Sequence, residues 1–194
     1  MSGSRFILAS SSPRRLQLVN QIGYQPDIVM APDVDETELP KESPTKLVER
    51  LALLKASVAA EQFPGDVVLA ADTVAYCRRQ ILTKPNDAAQ AENYLQMLSG
   101  RRHRVYTGVC VRKGSKVLFE VHSTIIQFKR LHADEITEFV KSEAWKGNAG
   151  GYAISGLAAI FIKRIDGLDS TVAGLPLMPV SNMLRHFGLR PNKS

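Results

Sequence analysis

The chain has 194 residues, of which 44% are hydrophobic and 23% charged, and its formal net charge is +6. This length supports one large or two small domains with a real core, and every apolar run is too short to span a membrane. We expect a cytoplasmic protein, because the first residues lack the pattern of a signal peptide. The basic balance suits an anionic partner. Cys77 and Cys110 lie in apolar runs, which predicts buried thiols.

The first half of the chain alternates apolar runs with amphipathic stretches. Ser12-Pro13 and Ser43-Pro44 each predict a helix start, since serine caps helices and proline fits the first helical position. The predicted elements are a strand at 6–9, a helix at 13–22, a strand at 26–30, a helix at 44–63, a strand at 67–76 and a short strand at 81–82.

The second half continues the alternation but contains a predicted hairpin. Its predicted elements are a helix at 86–98, strands at 105–111 and 117–128, a helix at 133–141, a glycine-rich loop at 147–156, a strand at 158–165 and a helix at 176–187. Alternating strands and helices indicate an α/β fold, and the hairpin favours a mixed sheet over a purely parallel one.

The segment from Ser10 to Arg15 is the first candidate for binding. Three serines end an apolar strand, and Pro13 is followed by Arg14 and Arg15. A helix start offers free backbone N–H groups and the positive end of a dipole, and arginine adds a forked donor. This combination predicts an anion site, for which a polyphosphate is a natural ligand.

Asp72 lies inside the apolar run at 67–76. A buried carboxylate is costly unless it is paired, so Asp72 should contact a cation, bind a metal or accept several hydrogen bonds. A strand-end aspartate satisfied by a turn is the structural alternative. The acidic loop with Asp33, Asp35 and Glu36 suits Mg²⁺ or Mn²⁺, although an exposed acidic loop has the same composition.

Two lysines add possible cationic groups. Lys55 interrupts an apolar helical stretch, so its side chain either extends to solvent or points into a site. Lys84 precedes a proline that ends a short strand, which is also the composition of a plain turn. The glycines at 147–151 allow close approach of a ligand or simply form turns. Together, carboxylates and cations of this kind are what metal-assisted hydrolysis of a nucleoside polyphosphate requires.

Several motifs together resemble the Maf family of nucleoside triphosphate pyrophosphatases. The resemblance extends over about residues 5–189, nearly the whole chain. The motifs appear in the family's order: Leu8-Ala9-Ser10-Ser11-Ser12-Pro13-Arg14-Arg15, Asp35-Glu36-Thr37, Lys55-Ala56, Ala71-Asp72-Thr73, Lys84-Pro85, Ala149-Gly150-Gly151-Tyr152 and Val172-Ala173-Gly174-Leu175-Pro176-Leu177.

The resemblance implies a hydrolase that splits the α–β phosphoanhydride to give a nucleoside monophosphate and pyrophosphate. It implies a single domain over 5–190, with a mixed-sheet fold like that of the inosine triphosphate pyrophosphatases and two lobes around a central cleft. It also implies a divalent metal cation, Mg²⁺ or Mn²⁺, and a homodimer in the cytoplasm. The family was named for effects on septum formation, so a role near cell division is a further expectation.

The same resemblance assigns roles to individual residues. Asp72 resembles the proton acceptor that activates water, and Glu36 resembles the family's metal-linked carboxylate. Four residues correspond to the phosphate-binding groups: Ser10, Arg14, Lys55 and Lys84. The positions that separate substrate groups in the family correspond to Arg14, Thr73 and Ser155.

Base preference is the least determined property. Arg14 and Thr73 match the branch of the family that acts on dTTP and UTP, whereas Ser155 stands where that branch has glutamine. Glutamine offers both an acceptor and a two-hydrogen donor, and serine is shorter. The alternative is a pyrophosphatase for 7-methyl-GTP or another modified nucleotide. A regulator that binds nucleic acid without catalysis is a more distant alternative, supported only by the basic charge, and nucleic acid is not an expected partner.

Overall fold

The computed structural model describes residues 4–192. Within that range the strands form one seven-stranded sheet in the order β2-β1-β3-β5-β6-β7, and β4 pairs with β3. The strands are β1 (Phe6–Ala9), β2 (Ile28–Met30), β3 (Val67–Cys77), β4 (Gln80–Leu82), β5 (Arg102–Lys113), β6 (Lys116–Phe128) and β7 (Ile162–Asp166). The helices are α1 (Pro13–Gln21), α2 (Pro44–Gln62), α3 (Ala88–Leu98), α4 (Ala133–Lys141), α5 (Asp169–Val172) and α6 (Leu177–His186), with 3₁₀ turns at Ala149–Gly151 and Gly156–Phe161.

The sheet contains both parallel and antiparallel pairs. Strand β1 pairs in parallel with β2 and with β3, so that Ile7 lies between Ile28 and Val68. Strands β3 and β4 pair in antiparallel fashion, as do β6 and β7. The predicted mixed α/β class is therefore confirmed.

The described chain folds as two compact units. The first, called unit 1, comprises the described residues 4–72, 107–122 and 174–192. Successive strand residues point to opposite faces of a sheet. Accordingly Phe6 and Leu8 belong to the apolar cluster that also contains residues of α1 and α6, whereas Ile7 and Ala9 belong to the cluster that contains residues of α2.

Helix α2 lies directly against β5 in unit 1, and Gly108 makes this possible. A Cβ atom at position 108 would overlap the carbonyl group of Val48, which is backbone and cannot rotate away. A residue without a side chain is thus required where the helix backbone meets the strand. This contact positions the helix that carries Lys55.

Unit 2 comprises residues 73–106 and 123–173. Its core is rich in aromatic rings: Phe128 lies 5.1 Å from His103, 4.8 Å from Tyr152 and 6.1 Å from Phe161, measured between ring centroids. All three contacts are edge-to-face, an arrangement that aromatic rings favour. The core therefore anchors β5, β6 and the segment after the glycine-rich loop.

The strand predicted at 158–165 is wrong in its first half. Residues Gly156–Phe161 form a 3₁₀ helix, and the strand occupies Ile162–Asp166. In this segment Ala158 and Phe161 are buried whereas Ile160 is 69% exposed, so the apolar residues follow a period of three rather than two. The short helix α5 was not predicted from the sequence.

The remaining elements lie close to their predicted positions, and the oxygens of Ser12 and Ser43 cap α1 and α2 as predicted. No helix between residues 4 and 192 has the length and apolar character needed to cross a membrane. The boundary of a single domain at 5–190, and the arrangement of two lobes around a cleft, stay predictions.

Candidate active site

The N-terminal end of α1 is built by its serines. The Ser12 hydroxyl accepts a hydrogen bond from the backbone N–H of Arg15 at 3.4 Å, which caps the helix. The buried Ser10 hydroxyl accepts from the backbone N–H of Ser12 at 3.1 Å and from Nη1 of Arg15 at 3.4 Å. The strand β1 thus ends in a turn that gathers donors of the kind that hold anions.

Arg15 is tied to this end of unit 1 more firmly than sequence reasoning indicated. Its Nε donates to the carbonyl oxygen of Gly174 at 2.9 Å. Burial lowers the pKa of Arg15, while the charges of Asp72 and Glu36 raise it. The guanidinium therefore lies within electrostatic reach of both carboxylates. Burial also lowers the pKa of the neighbouring Arg14, for which no carboxylate acts as a cause.

Lys55 connects two carboxylates in unit 1. Its Nζ lies 2.7 Å from Oδ1 of Asp72 and 2.7 Å from Oε1 of Glu36. The side chains of Lys55 and Asp72 are only 7% and 9% exposed, whereas that of Glu36 is 49% exposed. Two oxygens that share one nitrogen are necessarily close to each other. The site is thus a compact cluster with one buried and one solvent-facing carboxylate.

The fold explains how Lys55 and Asp72 come to face each other. Within β3, Val68 and Ala70 belong to the apolar cluster that α2 covers, and Asp72 is the next residue on that face. Within α2, Lys55 is buried on the same stripe as Ala52 and Ala59. The sequence left several interpretations of these two residues open. The structure supports the one in which Asp72 pairs with a cation and the Lys55 side chain points inward instead of extending to solvent.

The carboxylates fit a divalent cation that substrate helps to bind. Within residues 4–192 no three His, Cys, Asp or Glu side chains are grouped to hold a metal ion by themselves. Mg²⁺, however, usually takes only one or two carboxylates together with substrate phosphates and water. Asp72 and Glu36 supply two carboxylates around one point, which satisfies that smaller requirement. Neither His nor Cys is needed for such a hard cation.

Lys84 lies in unit 2, where the glycine-rich loop supports its segment. The backbone N–H of Gly150 donates to the carbonyl oxygen of Thr83 at 3.0 Å, and a Cβ at Gly151 would lie 3.4 Å from the Pro85 ring. Gly150 has φ +69°, and a Cβ there would lie 2.8 Å from that of Ala75. The loop is therefore a packed support rather than an open turn, and it leaves Lys84 exposed.

The other two predicted specificity residues also belong to unit 2. Thr73 is half-buried in β3, directly after Asp72. Ser155 is exposed and precedes the 3₁₀ helix that begins at Gly156, where its hydroxyl makes no capping hydrogen bond. A short exposed hydroxyl at this position is available to a ligand.

The structure thus brings Glu36, Lys55 and Asp72 into one cluster and Ser10 into contact with Arg15. The assigned roles of Ser10, Arg14, Lys55, Lys84, Glu36 and Asp72, and of the specificity positions, stay predictions. Sequence reasoning placed Arg14 and Arg15 at the predicted anion site, but it did not predict the contact of Arg15 with the Gly174 carbonyl. The adjacent arginines were visible, but nothing local indicated which of them turns inward.

The protein is a mixed α/β protein with a serine-capped helix start beside two arginines and with two carboxylates around a buried lysine, which are groups that suit a phosphorylated ligand. The sequence profile of the family described as Maf-like protein matches residues 5–187. The chain belongs to the Maf family. The predicted family is therefore confirmed.

Curated relatives cover almost all of the chain. The dTTP/UTP pyrophosphatase of Zymomonas mobilis subsp. mobilis is 45% identical over 186 residues, 95% of this chain and 92% of that protein. The dTTP/UTP pyrophosphatase of Caulobacter vibrioides is 44% identical over 191 residues, 98% of this chain and 99% of that protein. Among solved structures, a nucleoside-triphosphatase described as a dITP/XTP pyrophosphatase from Mycobacterium abscessus aligns at 18% identity. That alignment has a TM-score of 0.46 and covers 93% of this chain and 96% of the other.

Proposed function

We propose that this protein hydrolyses nucleoside triphosphates at the α–β phosphoanhydride, releasing a nucleoside monophosphate and pyrophosphate, with dTTP and UTP preferred. The observation that carries the proposal is the cluster in which Lys55 holds the carboxylates of Asp72 and Glu36. Membership of the Maf family and the names of the relatives from Zymomonas mobilis and Caulobacter vibrioides support the same reaction.

Each group of the cluster has a role in this reaction. Asp72 accepts a proton from the attacking water, and the bond between the phosphorus and the bridging oxygen breaks as the new P–O bond forms. Lys55 orients Asp72 and balances the negative charge that substrate adds. Ser10, Arg14 and Arg15 bind phosphate oxygens at the start of α1. For Lys84 we keep the phosphate-binding role that the family resemblance implies.

Asp72 and Glu36 would hold Mg²⁺ or Mn²⁺ together with the substrate phosphates. When bound, a divalent cation neutralises phosphate charge and lowers the pKa of a coordinated water. Because Lys55 already contacts both carboxylates, its ammonium keeps them close together before the cation arrives. We expect activity to require added cation and to be abolished by EDTA.

The decisive experiment replaces Asp72 by asparagine, which keeps the size of the side chain and removes its basicity. We expect Asp72→Asn to lower the rate of pyrophosphate release at least a hundredfold, the low end of what a general base contributes. The matched control is Asp66→Asn in the same unit, where the carboxylate contacts Arg5 at 2.7 Å. Activity of Asp72→Asn within threefold of that control would refute the assigned role.

Base preference is tested by a panel of triphosphates with pyrophosphate release as the readout. We expect kcat/KM for dTTP and UTP to exceed those for the purine triphosphates and 7-methyl-GTP, because Arg14 and Thr73 match the pyrimidine branch. Ser155 is the feature that favours the alternative, since a serine leaves space where a glutamine would contact the base. Faster hydrolysis of 7-methyl-GTP than of every pyrimidine triphosphate would establish that alternative.

The proposal extends to assembly and location. We expect a homodimer that acts on the nucleotide pool of the cytoplasm, with a role in removing surplus or non-standard nucleotides or in cell division. Light scattering of the purified protein measures the oligomeric state. A monomeric mass at every concentration up to that of the cell would contradict the dimer.

A further inference from the structure

Unit 2 carries a cationic and aromatic surface whose residues have no part in the proposed catalysis. A shallow depression of about 460 Å³ opens there. Its wall includes three arginines and two tyrosines: Arg78, Arg102, Arg104, Tyr76 and Tyr106. We call this set the arginine–tyrosine face. Its volume lies within the range of small-molecule sites.

Strand alternation explains why these side chains share a face. In β5, His103 and Val105 are buried, whereas Arg102 and Arg104 are exposed and Tyr106 is half-buried. Val105 packs in the core of unit 2, so the alternate residues lie on the opposite side of the sheet. In β3, Tyr76 likewise alternates with the buried Ala75 and Cys77. The face is thus a regular product of two strands.

The charge of this face is largely uncompensated. Arg102 contacts Asp166 at 3.2 Å, and Arg164 also contacts that carboxylate. Within residues 4–192, neither Arg78 nor Arg104 has a carboxylate within ion-pair distance. Two exposed guanidinium groups beside tyrosine rings therefore remain available to an anion.

The backbone at Arg78 is an independent observation. Arg78 and Arg79 form the two-residue turn between β3 and β4, with φ of +50° and +65°. Two-residue hairpin turns of this hand favour asparagine and glycine, because a larger side chain is strained in the left-handed region. The chain thus holds an arginine at a position where stability alone would select another residue. Such strain is characteristic of functional positions.

We propose that the arginine–tyrosine face is a second nucleotide-binding site, separate from the site where the substrate is hydrolysed. The phosphate of the bound nucleotide lies against Arg78 and Arg104, and its base lies against Tyr76 or Tyr106. The two half-buried tyrosine rings contact each other edge to face, with centroids 6.4 Å apart at 75°. Arginine pairs strongly with phosphate. A base that is not part of a duplex stacks on an aromatic side chain, and all the bases can do so. A free nucleotide and one residue of a single-stranded nucleic acid share this chemistry.

The test follows the amide resonances of Tyr76 and Tyr106 in the ¹⁵N-labelled protein during titration with dTMP and, separately, with hexathymidylate. We expect both resonances to shift with at least one probe. Arg104→Gln should raise the dissociation constant measured at these resonances about tenfold, as expected for loss of one charge-assisted contact. The control Arg185→Gln removes one exposed charge from α6 and should change this dissociation constant less than twofold.

A second variant separates function from folding. Asparagine tolerates the left-handed conformation, so Arg78→Asn should raise the melting temperature while it weakens binding.

The two probes identify the ligand. Hexathymidylate binding at least tenfold more tightly than dTMP would identify single strands as the ligand, and comparable affinities would identify the free nucleotide. Unshifted tyrosine resonances with both probes, or equal weakening by Arg185→Gln, would overturn the proposal. Since Arg104→Gln should retain the kcat/KM of pyrophosphate release, failure here is distinguishable from failure of the proposed catalytic function.

Discussion

The lysine at the centre of the carboxylate cluster makes a sharp stability prediction. Lys55→Met keeps the apolar stem of the side chain and removes the ammonium that contacts Asp72 and Glu36 at 2.7 Å. Asp72 is then a buried carboxylate without the ammonium that contacts it, and breaking a buried ion pair from one side costs about 3–5 kcal/mol. Glu36 is half exposed and regains water, so its share of the loss is below about 1 kcal/mol.

Urea unfolding at pH 7 measures both contributions. We expect Lys55→Met to lower the free energy of unfolding by about 3–5 kcal/mol and Glu36→Gln by less than about 1 kcal/mol. The double variant Lys55→Met/Asp72→Asn should be more stable than the sum of its single changes predicts, because both buried charges are removed together. A loss for Lys55→Met no larger than that for Glu36→Gln would refute the reasoning.

Three further predictions concern other parts of the molecule. Burial lowers the pKa of His103 from 6.5 to about 4, so the unfolded chain binds more protons between these values, and stability falls as the pH drops below 6.5. The free energy of unfolding measured in urea should fall by about 2 kcal/mol between pH 7 and pH 5 because of this histidine. The His103→Gln variant should not show this fall. Gly108→Ala should cost about 1–3 kcal/mol by overpacking α2 against β5, measured in the same assay, and an unchanged midpoint would contradict the contact. Ser155→Gln should raise the kcat/KM ratio of dTTP to the purine triphosphates, and an unchanged ratio would mean that this position does not read the base.

The helix starts could be predicted because their signals are local. Ser12 and Ser43 each cap the helix that a following proline opens, and the structure reproduces both caps. The apolar run after Gly156 was predicted incorrectly as strand because short apolar runs do not distinguish periods of two and three. Burial of Ala158 and Phe161 together settles the period only once the core of unit 2 is known.

The local sequence pattern does not determine which of Arg14 and Arg15 turns inward. Adjacent helical residues point about 100° apart, and either could face the anion. What turns Arg15 inward is the carbonyl of Gly174, which is 159 positions away along the chain. A contact of that range leaves no trace in the local pattern. We therefore expect Arg15→Lys to weaken substrate binding, because lysine cannot contact the carbonyl and a phosphate with one planar group.

The pairing of Lys55 with Asp72 was not predicted, but the apolar patterns of α2 and β3 point towards it. Lys55 lies on the helical stripe of Ala52 and Ala59, and Asp72 continues the strand face of Val68 and Ala70. When such a stripe packs on such a face, burying either charge unpaired is costly, so an arrangement that brings the two charges into contact is favoured. A lysine and an aspartate that interrupt neighbouring apolar patterns are thus a sequence-level sign of a buried ion pair. In this chain that pair contains Asp72, the carboxylate that we propose as the general base.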